Sequence, residues 1–584
     1  MNNCRVRTTN NSSPARWRPC GPVLGLLGAG LGLWLLSGCS ANQYRKSADR
    51  EIYGIIQKTQ QGALGHTNGF NIDTPYSHRK PAEIFPAELI DSRLQTNRRV
   101  LSIEAALELA VQTSREYQTA KEVLYQAGRR LSDVRYQYKP VLDAGGTPIK
   151  IENGVWSSAG GAKLSFSQLL RSGGKLGVTL ANDLFRYYTG NPQQSVVNTL
   201  SVDLFQPILR GFGHNSPELE TLTQAERDVV YAVRTFSYYQ NQFALGIVND
   251  YFRLLQQKDS IRNSYTNYLR RVESTKRLEA RQDRETVSQV DQARQAELTG
   301  KNDYVDSVAR FLNSLDDFKL RLGLPLGEIL VLDDNALTEL ERAGLIPAPL
   351  DSDAAYRAGV QKKLPMLNEI DRFEDSKRKV RIAVDQLRTQ LDAFANASYA
   401  WGEPNDYTYF DVDKIQYEAG LQLNLPFDRL QQRNSYRSTL ISFEAQLRIL
   451  VATLDSLKDS IEGGLRTLRQ RRANHEIQTK ALQLANRRVD SETLRLKAGL
   501  TEVLYLNQAL DDQVIAEDQV TEALVSYQEA RLQLMLDIGA LETGVSQFWL
   551  KDQLAGFLPA TPSALPPVQT ADQEAPPPDH FFPK

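Results

Sequence analysis

The chain has 584 residues with 69 Lys+Arg against 70 Asp+Glu, a formal net charge of -1, which argues against a nucleic-acid-binding surface. Its 5 histidines (His66, His78, His214, His475, His580) are scattered, and no phosphate loop, metal-ligand cluster or nucleophile motif occurs. No catalytic residue, cofactor-binding site or metal site is therefore expected. After Leu36 no apolar run approaches the roughly twenty residues of a membrane-spanning helix, so any crossing would have to be made by strands in a closed barrel.

The first segment reads as an export signal. Arg5, Arg7, Arg16 and Arg18 form a positive region without acids, followed by the apolar run Gly21–Leu36. The run closes on Leu36-Ser37-Gly38-Cys39, which resembles the bacterial lipobox: residues 1–38 are removed and the Cys39 thiol is acylated at the new N-terminus. Cys4 and Cys20 lie in the removed segment, so the mature chain keeps only Cys39 and can form no internal disulfide. Three acyl chains would anchor it firmly, since one chain alone is marginal. Ser40, where an acid often retains lipoproteins at the inner membrane, favours the outer one. Residues 39–97 are expected to form a tether, helical over Tyr44–Gln61 and extended over Thr74–Pro86.

The remainder is read as two copies of one plan, at 98–327 and 350–545, joined by a linker at 328–349. Leu101-Ser-Ile-Glu-Ala-Ala-Leu-Glu-Leu-Ala-Val111 lines up with Leu350-Asp-Ser-Asp-Ala-Ala-Tyr-Arg-Ala-Gly-Val360, and Leu142-Asp-Ala144 with Leu391-Asp-Ala393. Further on, Val202, Leu204, Pro207 and Arg210 match Leu421, Leu423, Pro426 and Arg429, and Arg271-Val-Glu-Ser274 matches Arg488-Val-Asp-Ser491. The spacing between the copies shortens after Ala144, because copy one carries the longer sheet segment. Each copy runs helix, strands, very long helix, turn, helix.

The long helices are predicted over Pro217–Ala280 and Gln431–Lys497. Val229, Val233, Phe236, Phe243, Ile247 and Leu254 form a coiled-coil-like seam in the first. Leu440, Phe443, Leu447, Leu450, Leu454, Leu457, Ile461, Leu465 and Leu468 do so in the second. Strands are predicted at about 144–206 and about 391–426. Ile415, Tyr417, Ala419, Leu421, Leu423 and Leu425 alternate with polar residues, and Leu391, Ala393, Ala395, Ala397, Tyr399 and Trp401 nearly do, against Asp392, Asn396 and Ser398. One apolar and one polar row on strands of this length is the transmembrane-barrel pattern, although a half-buried soluble hairpin shares it. Arg171-Ser-Gly-Gly174 reads as a turn or bulge, Arg186–Ser195 as a long exposed loop, and Gly402–Tyr407 as a polar turn; the strand count per chain should be even. Four strands cannot close a useful pore, so an oligomer is required. Residues 546–584 are expected to be a Pro-rich disordered tail.

LSIEAALELAVQTSREYQTAKE at 101–122, SVDLFQPILRGFG at 201–213, VSQVDQARQ at 287–295, LRLGLPLG at 320–327, LRLKAGLTEVLYLNQALDDQ at 494–513 and YQEARLQLMLDIGALE at 527–542, in that order, resemble the TolC family of outer-membrane efflux proteins. The resemblance implies an α+β membrane protein: long helices forming a periplasmic α-barrel, with strands contributed to a shared β-barrel, commonly of twelve strands, in a homotrimer. It implies a passive exit duct for small molecules or proteins, energised by an inner-membrane RND or ABC transporter through a periplasmic adaptor (membrane fusion) protein. By the same resemblance the adaptor-docking tips are Gln282, Asp283 and Arg284 in copy one and Ala498, Gly499, Leu500 and Thr501 in copy two. Where the best-known member narrows its pore with aspartates this chain has Tyr505 and Gln508, with Asp511 and Asp512 nearby as further constriction candidates. The competing readings are a lipid-anchored periplasmic adaptor, which would carry a single helical hairpin between β-rich halves, and a structural coiled-coil rod, which would lack the alternating strands.

Overall fold

The computed structural model describes residues 40–152, 155–187, 194–280, 286–348, 350–401, 410–551 and 553–554. Cys39, Gln282, Asp283, Arg284 and the Gly402–Tyr407 turn lie outside the described residues. The chain divides into two compact units, Met1–Gly54 and Ile55–Lys584. Of the first, the opening turns of helix α1 (Ala41–Leu64) are described; all the later elements belong to the second.

In chain order the second unit continues through α2 (Pro86–Leu94), β1 (Arg98–Leu101), α3 (Ile103–Thr113), α4 (Arg115–Tyr136), β2 (Val141–Glu152), β3 (Val155–Leu169), β4 (Lys175–Tyr187) and β5 (Gln194–Pro207). The long helix α5 (Pro217–Glu279), α6 (Val287–Leu322), β6 (Ile329–Leu332), α7 (Asn335–Ala343), α8 (Ser352–Lys362) and α9 (Leu364–Asp385) come next. The last elements are β7 (Gln390–Ala400), β8 (Gln416–Asn424), the second long helix α10 (Leu430–Lys497) and α11 (Val503–Ile538). Thr74–Pro86, expected to be extended, instead contains a turn and a short 3-10 helix at Pro81–Glu83 before α2, where Pro81 and Pro86 each open a helical turn.

The long helices contain 63 and 68 residues, about 95 and 100 Å at 1.5 Å per residue. Ser216 caps α5 by accepting from the Leu219 N–H (3.4 Å), with Pro217 in the first turn. Thr286 and Gln289 form a reciprocal capping box at the start of α6. The seam residues Val229, Val233, Phe236, Phe243, Ile247 and Leu254 are all buried, each worth about 1.5–3 kcal/mol relative to exposure for a side chain of that size. Side by side, α4, α5, α9 and α10 form a layer next to the sheet, whereas nearer the far end the neighbours are α6, α5, α11 and α10.

Two helix ends share one geometry. Gly323 closes α6 in the left-handed conformation (φ 78°), and a Cβ there would collide with the Thr113 carbonyl between α3 and α4. Gly539 closes α11 likewise (φ 77°), against Lys362 and Lys363 between α8 and α9. β1 and β6 pair in parallel beside the first of these junctions.

The main sheet has six strands in the order β2-β3-β4-β5-β7-β8, every pair antiparallel. Four of them precede α5, so the strand count is even. The long loop expected over Arg186–Ser195 is shorter than that, because β4 runs to Tyr187 and β5 resumes at Gln194. At the other end of the chain, Phe548 and Trp549 are buried, and the Arg531 guanidinium donates to the carbonyls of Trp549 (3.2 Å) and Lys551 (2.6 Å). Folded structure therefore continues past residue 546, where the tail was expected to begin; the prolines begin only at Pro559, and two large aromatics ahead of them are buried.

Candidate channel wall and helical tip

The sheet has two chemically distinct faces, and the registers place like with like across it. One row runs Leu142, Phe166, Val178, Val202, Ala397, Tyr417 through all six strands. Neighbouring rows on the same face are Leu164, Leu180, Leu200, Tyr399 on one side and Leu176, Leu204, Ala395, Ala419 on the other. The opposite face carries Asp143, Ser165, Thr179, Ser201, Ser398, Gln416 and, beside that row, Val141, Ser167, Gly177, Asp203, Asn396, Glu418; at its end, in the row Leu169, Lys175, Phe205, Phe394, Gly420, it turns partly apolar. Strand side chains alternate between faces, so this is a period-two pattern held in common by six strands.

On β5 the residue level with Ala393 is the polar Gln206, but on β7, from Leu391 to Tyr399, the apolar face covers five side-chain rows. At about 3.4 Å per residue and a tilt of about 40°, that is roughly 21 Å of depth, close to the 25 Å apolar band of an outer-membrane barrel. Large apolar side chains on this face are bare: Leu142 is 69% exposed, Tyr417 84% and Leu421 67%. At one end of the band Tyr399 packs edge-to-face against Trp401 and tilted against Phe410, with ring centroids 4.9 and 4.6 Å apart. At the other, Phe212 and Phe427 stand exposed. Aromatics at both edges match the girdles of membrane barrels. Among the described residues no helix is long and apolar enough to cross a membrane.

The sheet is tied to the helices at its inner end. The β3–β4 connection is a tight turn in which Leu170 N–H donates to the Gly174 carbonyl (2.7 Å). Gly173 (φ 87°) lies so close to the strand leading into α5 that a Cβ would stand 2.7 Å from the Gly211 carbonyl. Gly213 N–H donates to the Ser172 carbonyl (3.1 Å), and Ser172 Oγ donates to Gln206 Oε1 (2.6 Å). Asp385, buried at the end of α9, accepts from the Gly211 N–H (2.7 Å) and from Asn215 Nδ2 (3.2 Å). The Arg171–Gly174 motif is therefore a turn.

At the far end, α10 gives way to α11 through Ala498, Gly499, Leu500 and Thr501. Gly499 has φ 73°, and Leu500 N–H donates back to the Arg495 carbonyl (2.9 Å), a left-handed helix stop. Leu500 is exposed, while Thr501 Oγ1 donates to Glu492 (3.0 Å). Leu278, Ala293, Val503 and Leu496 pack together, joining the two helical hairpins at their tips.

Tyr505 and Gln508 are exposed on α11, in line with Asp512 and Ile515 on one helix face. The two aspartates are engaged. Asp512 pairs with Arg488 of α10, and Asp511 pairs with Arg271 of α5, which is 2% exposed and also donates to the Ala296 carbonyl (2.7 Å). Burial lowers the Arg271 pKa, with Asp303 opposing it. Gln513 continues the link, accepting from Arg270 (2.5 Å) and donating to Asn486 (2.7 Å); Asp518 accepts from Ser260 (2.7 Å) and Asn263 (2.9 Å). Sequence reasoning missed this α5–α11 polar clamp, because Arg271 and Asp511 stand 240 residues apart. Within it, burial raises the Glu517 pKa, opposed by Arg270 and reinforced by Asp518 and Asp259.

No protein-family model and no curated protein sequence matches the chain. Solved structures do. The CusC channel aligns with a TM-score of 0.56 at 10% identity, over 75% of this chain and 92% of its own. The outer membrane protein VceC of Vibrio cholerae aligns at 0.55 and 14% identity, over 75% and 96%. The CmeC outer membrane channel of Campylobacter jejuni aligns at 0.54 and 12%, over 75% and 85%. The chain has the TolC-like fold of the outer-membrane channels.

Proposed function

We propose that this chain is one subunit of an outer-membrane exit duct, a homotrimer whose copies close a common β-barrel and continue inward as a helical tunnel. The observation that carries the reading is the sheet itself: an apolar face of membrane depth backs a polar face, in a single sheet whose two edge strands are left to pair. Unpaired strand edges cannot be left in lipid, because each unsatisfied backbone group costs several kcal/mol there. Closure between copies removes both edges at once. Two helix ends with the same glycine geometry, at Gly323 and Gly539, support two copies of one unit within each chain. The bare heptad-spaced Leu298, Val305 and Leu312 on α6 would then be covered by the next copy's long helices.

Transport in this reading is passive. The chain carries no chemical step; the energy comes from an inner-membrane RND or ABC transporter, joined to the tips by a periplasmic adaptor. Gln282, Asp283 and Arg284 with Ala498, Gly499, Leu500 and Thr501 form the docking tips. Tyr505 and Gln508 line the narrowest passage, since Asp511 and Asp512 are taken up by Arg271 and Arg488. Acyl chains on Cys39 tether the barrel rim to outer-membrane lipid.

The test is fractionation of the native cell envelope. The expected result is a heat-modifiable trimer band in the outer-membrane fraction that crosslinks to an adaptor through cysteines placed at Leu500 or Thr501. A monomer in the inner-membrane or soluble fraction contradicts it.

A further inference from the structure

In a barrel closed between copies, the number of strands sets the bore. Among the described residues each chain contributes six strands; β3 pairs with β4 without a register shift, and β2 pairs regularly with β3 from Val141 to Thr147, with register shifts beyond. Their apolar residues Leu142, Phe166 and Leu164 continue two of the rows of β4 and β5, while the Leu176–Leu204 row meets Gln168 on β3. The turn joining β3 to β4 is pinned to the start of α5 through Gly173, Ser172 and Gln206, so the added hairpin is part of the wall at the end where wall meets tunnel.

We propose that the barrel closes by antiparallel pairing of β8 of one copy with β2 of the next, giving an eighteen-stranded pore in the trimer. The occupant of each open edge is a second copy of this chain. Direction permits it: adjacent strands alternate along the six-stranded sheet, so β8 runs opposite to β2 and the junction continues the antiparallel order. Chemistry permits it as well, because Leu142 on β2 and Tyr417 on β8 end the same apolar row on the same face.

The helices give an independent measure of the width. The layer beside the sheet is four helices across, α4, α5, α9 and α10, so a trimer presents twelve. At an interaxial spacing of about 8–10 Å, their ring has a circumference of roughly 95–120 Å. Eighteen strands about 4.8 Å apart and tilted about 40° span roughly 113 Å, whereas twelve span only about 75 Å. At this tilt the eighteen-stranded wall has the circumference of the twelve-helix ring below it, whereas a twelve-stranded wall reaches that circumference only with a steeper tilt or a taper. The corresponding backbone diameters are about 36 Å and about 24 Å, a roughly twofold difference in cross-section. Barrels of sixteen to eighteen strands hold an open aqueous channel, and Ser165, Thr179, Ser201 and Ser398 on the polar face are too small to fill one. The wall accordingly admits bulkier solutes than a twelve-stranded wall does.

The inference rests on the shared-barrel reading, and disulfide trapping separates the two. Cysteines are placed in β2 (Leu142→Cys, Ala144→Cys, Gly146→Cys) in all combinations with β8 (Tyr417→Cys, Ala419→Cys, Leu421→Cys). A parallel set combines β4 (Leu176→Cys, Val178→Cys, Leu180→Cys) with β8. Full-length protein in native outer membranes is oxidised and run under non-reducing conditions. The expected result is covalent dimers and trimers from at least one β2–β8 register and from no β4–β8 pair. Linkage of β4 to β8 would overturn the eighteen-stranded wall while leaving a shared twelve-stranded barrel standing. An absence of linkage in both sets would overturn the shared barrel as well. The scan over several positions keeps a single misfolded variant from deciding the outcome.

Discussion

The assignment of the sheet's faces can be tested by moving one charge by one residue. Leu204 lies in the third of the five apolar rows, so both edges of the band are about 10 Å away, at about 5 Å of depth per row. An arginine on the lipid face costs about 2–4 kcal/mol at the membrane midplane and about 0–1 kcal/mol near the interfaces. Leu204→Arg is therefore expected to destabilise the trimer by about 2–4 kcal/mol, and Leu423→Arg, in the first row, by about 0–1 kcal/mol. Asp203→Arg, adjacent in sequence but on the polar face, should be close to neutral. The assay is the urea or temperature midpoint at which the heat-modifiable trimer is lost from lipid vesicles. If Asp203→Arg costs as much as Leu204→Arg, or if Leu204→Arg costs no more than Leu423→Arg, the lipid-facing assignment is wrong.

Three further outcomes are expected. Asp511→Ala removes the ion-pair partner of the buried Arg271 guanidinium, leaving it only the Asp303 charge, and should lower helix stability by about 1–3 kcal/mol, at the lower end of such losses because Asp511 is 49% exposed. Arg271→Met should cost less than Asp511→Ala, and the reverse order in circular-dichroism melts would refute the clamp. Because the folded Glu517 pKa is raised, mainly by burial, its contribution is fully present below the unfolded value of about 4.3 and is lost as pH rises through the folded one. Glu517→Gln should therefore raise the melting temperature at pH 7 relative to the parent, with the gap closing near pH 4; a constant gap would exclude this titration as the cause. Cys39→Ser is expected to reduce outer-membrane targeting or trimer yield while leaving the conductance of the trimers that do form unchanged, which fractionation and bilayer recording would separate.

What could be read in the sequence depends on which interactions are local. β8 is plain because Tyr417–Leu425 alternates strictly, and β7 nearly so, with Phe394 breaking the pattern. The first seam is plain because a helix repeats its face within four residues, whereas the second is buried only over Leu457, Ile461, Leu465 and Leu468, with Leu447 exposed. The first copy's four strands were harder to count. β2 and β3 meet through Gly145, Gly146, Gly160 and Gly161, which leave little side-chain pattern to read. Arg171-Ser-Gly-Gly174 suits a turn and a bulge equally until Gly173 is seen against Gly211. At the tip, Asp511 and Asp512 look from sequence like solvated helix charges. That each is held by an arginine on another helix depends on packing between elements far apart along the chain. Phe548 and Trp549 precede the prolines, which begin at Pro559, and are swept into the tail only when its composition is extended back to residue 546; burial acts on single side chains.

The central claim is that trimers of this chain form a water-filled duct narrowed at the tip by Tyr505. Single-channel recording of the purified, heat-modifiable trimer in planar bilayers tests it most directly. Discrete conductance steps that appear only with the trimer, and that rise with Tyr505→Ala, are the predicted result. Trimers that insert but carry no current, or steps unchanged by Tyr505→Ala, would contradict the duct or its constriction respectively.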